Sequence, residues 1–531
     1  MVSRHGSAVP WQRAARTLVS SRSIVLGASM VSIAAWAFFA ARDQTLIYYD
    51  APIHQMIARR VFDSPTPGMG QSGSLWPALI HWLQLPLVWN GWLYRSGLSG
   101  SLLSMLAFAL SAMLLFLLGR KITGSAWAGG LASLLFVLNP NVLYMQSTPM
   151  TDLPLTGCVI ATVTAIVYWC EREDIRYLGA AILAVNIAAG TRYEGWFLWG
   201  CTLAVIVYVG LRNRWARKKI EDYALYFAVF GSAFMLFWVG WNAVINRDAL
   251  GFLGGEYGAS DNWVSTTDPT VGHLLVSVKT YWYATVDING LPLVLTGILG
   301  LVWFTWRHRL DIRTCGLYLF LFPFVFYIPL LYTGTRPMHV PQITGDAYNV
   351  RFALHTTPLF VLMTAWLVWA IAQWIGAGRL RTLLMPLLVT AVALMAIRAP
   401  DISLQEPLEA LDTTEVQVRQ EAASWLKEHV KADPGVVLMQ TVGNEQLLFW
   451  SDIPLDQVVY EGTTQDGQWA QELEQPSPDV AWIVMRCGGA LGPDHVCTAL
   501  GGPASPLFGQ FSLAFDDGSI RIYQRMEPSH A

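Results

Sequence analysis

Long apolar runs, nearly free of charge, recur along the first 400 residues and are separated by short polar breaks. A bilayer core takes roughly 20 apolar residues per helix, so this pattern predicts about eleven spans. They fall at 23–41, 99–118, 125–140, 153–170, 177–191, 195–211, 223–244, 289–306, 316–334, 354–376 and 382–397. Past residue 400 the pattern changes. Residues 413–430 carry Val416, Val418, Ala422, Trp425 and Leu426 at helical spacing, which predicts an amphipathic helix. Residues 436–439, 480–485 and 520–523 read as short buried strands. The expected fold is mainly α: a polytopic transmembrane helical bundle over 1–400, then a small α/β domain over 401–531. About 130 residues suffice to bury a core of their own.

Charge orients the pattern. Arg4, Arg13, Arg16 and Arg22 precede the first span. Alternate breaks then carry Arg120 and Lys121; Arg172 and Arg176; Arg212, Arg214, Arg217, Lys218 and Lys219; Arg307, Arg309 and Arg313; and Arg379 and Arg381. Cytoplasmic loops are enriched in Lys and Arg, so the N-terminus is expected inside and the C-terminal domain outside, as in a multi-pass plasma (inner) membrane protein. The first apolar run lacks a small-residue cleavage site and reads as a retained span. The opposite face receives the long loops 42–98, 141–152, 245–288 and 335–353, together with the tail.

Composition agrees. The chain of 531 residues is 54% hydrophobic and 13% charged, with a mean hydropathy of +0.40, against about 25% charged in soluble domains. A net charge of −3 with no basic domain argues against nucleic acid. The many Trp and Tyr suit membrane interfaces. Six Cys show no metal-type spacing. Cys487 and Cys497 flank a Gly-rich turn, where a disulfide and two buried thiols both remain open. No span has Asp, Glu, Lys or Arg near its middle, where ion-coupled transporters keep such groups.

The polar chemistry collects at span ends. Asp50 lies just past the first span, after Tyr48 and Tyr49. Pro52, Ile53, Met56, Ile57 and Val61 follow at helical spacing, which reads as an amphipathic helix lying on the membrane. Arg59 and Arg60 close it. Asp50 either caps this helix or acts as a general base toward a hydroxyl. Asp152 precedes the fourth span. It caps that span, positions an acceptor, or holds a divalent cation against a phosphate. Arg192 and Glu194, in Arg192-Tyr193-Glu194-Gly195-Trp196, either pair with each other or leave Arg192 for a lipid phosphate. Tyr348, Asn349, Val350, Arg351 and Phe352 precede the tenth span. Arg351 either snorkels or grips a phosphate with its planar fork. Trp76, His81 and Trp82 lie in one apolar stretch of the first loop, and a lone His such as His54 or His81 is more often structural than catalytic.

Taken in order, these motifs resemble the GT-C membrane glycosyltransferases, in the branch with protein O-mannosyltransferases and the aminoarabinose transferase of lipid A. The resemblance covers roughly residues 20–400. It rests on Asp50, the stretch from Trp76 to Leu83, Asp152, the run from Arg192 to Trp196, and Asn349 to Phe352. It implies transfer of a sugar from a polyprenyl-phosphate donor to an acceptor hydroxyl on a lipid, glycan or protein, outside the cytoplasm and with inversion. Asp50 would be the base and Asp152 the second acid. Arg351, with Arg192, Arg59 and Arg60, would face the donor phosphate. Tyr49, Trp76, His81, Glu194, Tyr348 and Asn349 would line the substrate. Asp152 and Asp50 would be the ligands wherever a divalent metal is used. Many relatives have Asp-Glu where this chain has Asp50-Ala51. The Trp-Trp-Asp signature of oligosaccharyltransferases is absent, which argues against N-glycosylation. The competing readings are a lipid or glycan flippase and an inactive assembly subunit with the same fold.

Overall fold

The computed structural model describes residues 20–73, 75–254, 264–375, 390–391, 393–394, 397–432, 434–462, 467–489, 491–501, 505, 507 and 509–526. Among these, seven helices are long and apolar enough to cross a membrane: Ser21–Ala40, Leu98–Thr123, Asp152–Arg172, Glu194–Arg212, Arg217–Ile245, Cys315–Thr333 and Val350–Ile375. An eighth is reached by joining Leu274–Asn289 to Leu291–His308. The expected eleven are not confirmed among the described residues. Two predicted spans are helices too short to count, Ala126–Val137 and Ile175–Thr191. The first is cut off because Asn139 caps the next turn, accepting from the N–H groups of Asn141 and Val142, with Pro140 at its first position. The second starts at the Asp174 cap and stops where Arg192 turns extended. The predicted span 382–397 lies mostly outside the described residues, as do Arg4, Arg13, Arg16, Arg379 and Arg381.

Residues 274–289, expected in a loop, form a helix that meets Leu291–His308 at 108°. Gly290 makes the corner at φ +79°, a conformation side chains resist. Leu291–His308 packs closely on Thr357–Ile375, and a Cβ on Gly300 would stand 2.3 Å from the Met363 carbonyl oxygen. Small residues allow such approach between apolar helices.

The chain divides into two compact units. The first holds Met1–Gln44, Leu75–Ile80 and Ser101–Glu406; the second holds Thr45–Ser74, His81–Gly100 and Pro407–Ala531. The second unit has a five-stranded sheet in the order β2-β1-β3-β5-β4. Its strands are β1 (Val436–Leu438), β2 (Val458–Val459), β3 (Val480–Arg486), β4 (Phe511–Asp516) and β5 (Ile520–Arg525). β1 runs parallel to β2 and β3, while β5 runs antiparallel to β3 and β4. The predicted amphipathic helix is Thr414–Ala432. It buries Ala422 and Leu426 against Val484 of β3 and Ile522 of β5. Cys487 and Cys497 are joined as a disulfide.

The helix after the first span, Asp50–Arg59, is also part of this second core. Met56 and Ala58 pack with Val88, Tyr94, Ala422, Leu447 and Leu448, and every residue from Ala51 to Ala58 is buried. The expectation of a helix on the membrane surface is corrected: its apolar face is covered by protein.

Candidate functional site

In the first unit, polar breaks between apolar helices bring charge together. Asp152 opens the helix Asp152–Arg172 and is fully buried. Two guanidiniums flank it: Arg192 Nη1 stands 3.3 Å from one carboxylate oxygen and Arg351 Nε 3.6 Å from the other. Neither oxygen accepts a well-aligned hydrogen bond among the described residues. Arg192 also donates to Glu194 at 2.7 and 3.1 Å and to the Thr151 hydroxyl at 3.1 Å. Glu194 in turn accepts from the Tyr327 hydroxyl at 2.8 Å. Burial works against the Arg192 cation, but Glu194 and then Asp152 outweigh it and hold it protonated.

Arg351 sits just past a left-handed turn at Asn349, φ +56°. The Asn349 and Val350 N–H groups donate to Glu406 at 2.8 and 3.1 Å, and Arg351 Nη1 reaches the same carboxylate at 3.3 Å. Both arginines lie over the Phe352 ring, at 5.0 and 5.1 Å. His355 shares a 2.8 Å hydrogen bond with Thr156, whose hydroxyl donates to the Asp152 carbonyl. Arg336 is the third cation; burial lowers its guanidinium, and Glu194 opposes that. Asp152, Glu194 and Glu406 face Arg192, Arg336 and Arg351, so the cluster is balanced, as buried charges require.

Tyr348 is exposed beside His339, with which it makes an isolated β-bridge. His339 lies between Asp268 at 2.7 Å and Asp346 at 2.8 Å. Trp76 follows Leu75, whose carbonyl accepts from the Tyr193 hydroxyl at 3.2 Å.

The remaining predicted residues belong to the second unit. Asp50 is the first residue of its helix, half-buried, and Tyr49 at the cap position makes no capping bond. The Tyr49 hydroxyl donates to Glu445 at 2.6 Å instead of lying open to a substrate. Arg59 is committed to Asp63 and to the carbonyls of Val88 and Trp89, which holds its guanidinium within the fold rather than toward a phosphate. Arg60 lies over the Tyr460 ring at 5.3 Å. His81 pairs with His54 at 2.9 Å. Burial, then the charges of His54 and Arg60, pull it well below the ordinary range, so its ring is neutral.

The family model described as dolichyl-phosphate-mannose-protein mannosyltransferase matches residues 93–241. No curated protein matches the chain. Among solved structures, ArnT from Cupriavidus metallidurans bound to undecaprenyl phosphate aligns with a TM-score of 0.58 at 14% identity, over 94% of this chain and 97% of that one. The same protein in the apo state gives 0.56 over the same shares.

The chain has an ArnT-like fold.

A more distant alignment is to the archaeal oligosaccharyltransferase AglB from Archaeoglobus fulgidus in complex with an inhibitory peptide and a dolichol-phosphate, at TM-score 0.45, 11% identity and 87% and 69% coverage. Within this ArnT-like fold, Asp50 and Asp152 fall in different units. The neighbours of Asp152 do not suit a divalent cation, because two guanidiniums compete for its oxygens. Among the described residues no group of three or more His, Cys, Asp and Glu could hold a metal. The cluster around Asp152 also contains Tyr327, Arg336, His355 and Glu406, which the spacing of polar residues does not single out. Arg336, two residues past a predicted span end, is the one with a readable signal.

Proposed function

We propose that this chain is an integral-membrane glycosyltransferase that moves a sugar from a polyprenyl-phosphate donor to an acceptor hydroxyl on the extracytoplasmic side. The observation that carries this reading is the buried Arg192–Asp152–Arg351 cluster at helix ends, within the fold of a protein solved with undecaprenyl phosphate. Charge at span ends with apolar interiors favours a reaction at the membrane surface over passage through it.

The acceptor oxygen attacks the anomeric carbon while the bond from that carbon to the phosphate oxygen breaks. The phosphate leaves with the bonding electrons, and the acceptor proton passes to Asp50. Arg351 and Arg192 meet the charge that develops on the leaving phosphate. Fixed cations do this without reorganising, and a guanidinium offers a phosphate two parallel donors. Asp152 holds both arginines, and its poorly engaged oxygens accept from a sugar or acceptor hydroxyl. The Lys and Arg pattern supports chemistry outside the cytoplasm, and the Cys487–Cys497 bond suits an oxidising compartment.

Purified protein with a labelled polyprenyl-phosphate sugar tests the reading. Asp50→Asn is expected to abolish transfer while folding and donor binding persist. Unchanged turnover would remove Asp50 as the base.

A further inference from the structure

The bond between Tyr49 and Glu445 joins residues 396 positions apart at the amino acid next to Asp50. Tyr49 holds the cap position of Asp50–Arg59, yet no side chain caps that helix. Its entry is fixed instead through the Tyr49 hydroxyl, 2.6 Å from Glu445 Oε2. The same oxygen accepts from the Gly443 N–H at 2.9 Å, and Gly443 holds φ +83°. Two donors thus pin one carboxylate oxygen. Glu445 opens the helix Glu445–Ser451, where an acid is favoured by the helix dipole; that accounts for an acid at 445 but not for the tyrosine on it.

The charges around the pair are mostly negative. Asp50 and Arg419 act on Tyr49, and Glu461 acts on Glu445. Arg419 pairs with Glu415, and among the described residues Glu445 has no ion pair. An amide would make the same two hydrogen bonds without a charge to desolvate. Enclosure by the surrounding protein pushes the Glu445 carboxyl up to about 7, so this group changes charge near neutrality while hydrogen-bonded to Tyr49, the residue next to the proposed base.

We infer that Tyr49 and Glu445 are positioning residues, which hold the first turn of Asp50–Arg59 and so aim the Asp50 carboxylate at the acceptor. The inference rests on Asp50 being the base. It makes the C-terminal segment part of the machinery, since Glu445 belongs to it.

The test uses the full chain at saturating donor. Tyr49→Phe and Glu445→Leu are expected to lower kcat roughly tenfold or more, as small misplacements of a reacting group do, with KM for the donor unchanged. Glu445→Gln still accepts from Tyr49. It is expected to keep kcat within about twofold at neutral pH while removing an inflection near pH 7 from the profile. Wild-type kcat in Tyr49→Phe and Glu445→Leu overturns the inference. So does a loss that merely tracks the folded fraction while Glu445→Gln leaves the pH profile unmoved. Asp50→Asn separates the two claims. If it is active, the base assignment and this inference fall together; if it is inactive while Tyr49→Phe is fully active, only the inference falls.

Discussion

Arg351 shows what a single side chain is asked to do. Its guanidinium lies between Asp152 and Glu406, two acids that hold a cation ready for a third. Arg351→Ala is expected to weaken donor binding more than acceptor binding, and Arg351→Lys to recover only part of it, because an ammonium lacks the planar fork. Titration with donor and acceptor separately checks this; equal loss of both counts against the phosphate role. Glu194→Gln leaves Arg192 without its nearest counter-charge. Breaking a buried pair costs about 3–5 kcal/mol, which a lowered Tm should register even without substrate. Asp152, Arg192, Glu194 and Arg351 were legible because polar residues stand out at the ends of apolar runs. Tyr327 was not, since an aromatic inside an apolar span looks like any other. Glu406 was not, because its partners at 349–351 lie more than fifty residues back and no spacing rule joins them.

At the scale of elements, the amphipathic pattern after Asp50 was read rightly as a helix and wrongly as one on the membrane. Helical spacing records that one face is covered, not what covers it. The core packing of Met56 predicts that Met56→Ala destabilises the second unit by about 2–5 kcal/mol, measured by thermal unfolding in detergent. A helix resting in lipid would show far less. The short strands around β1, β3 and β5 were visible as apolar runs, whereas β4 was not, because its residues alternate poorly with burial. A second element-level test concerns His339, which clips the segment around Asp268 to the turn before Asn349. Partial burial opposes its charge, but Asp346 and Asp268 outweigh it and raise the ring above its ordinary value. A raised folded value means the clip contributes fully below the unfolded pKa of about 6.5 and is lost as pH rises through the folded one. The expected signature is a fall in Tm over that window, absent in His339→Gln.

For the whole molecule, hydropathy marks the class and the polar breaks, while two of its predicted spans are helices too short to count, one followed by the Asn139 cap and one running from the Asp174 cap to Arg192. The Lys and Arg pattern predicts the sidedness. A reporter fused after Ala531 should score as extracytoplasmic, and a cytoplasmic signal would overturn the orientation. The first unit ends at Glu406, and the second unit draws on Thr45–Ser74 and His81–Gly100 as well as Pro407–Ala531. The chain passes between units after Gln44, Ser74, Ile80, Gly100 and Glu406.

That interleaving has a consequence for synthesis. The ribosome makes residues 45–100 early, but the residues that cover Met56, Ala58, Val88 and Tyr94 emerge only with Ala422, Leu447 and Ile522. The early segment must wait, half-built, for the residues past 406. A stop codon just after Glu406 should therefore leave the region around Arg59, Arg60 and Arg95 open to trypsin, although every residue there is intact. A lesion past residue 406 would be felt first at residues 45–100.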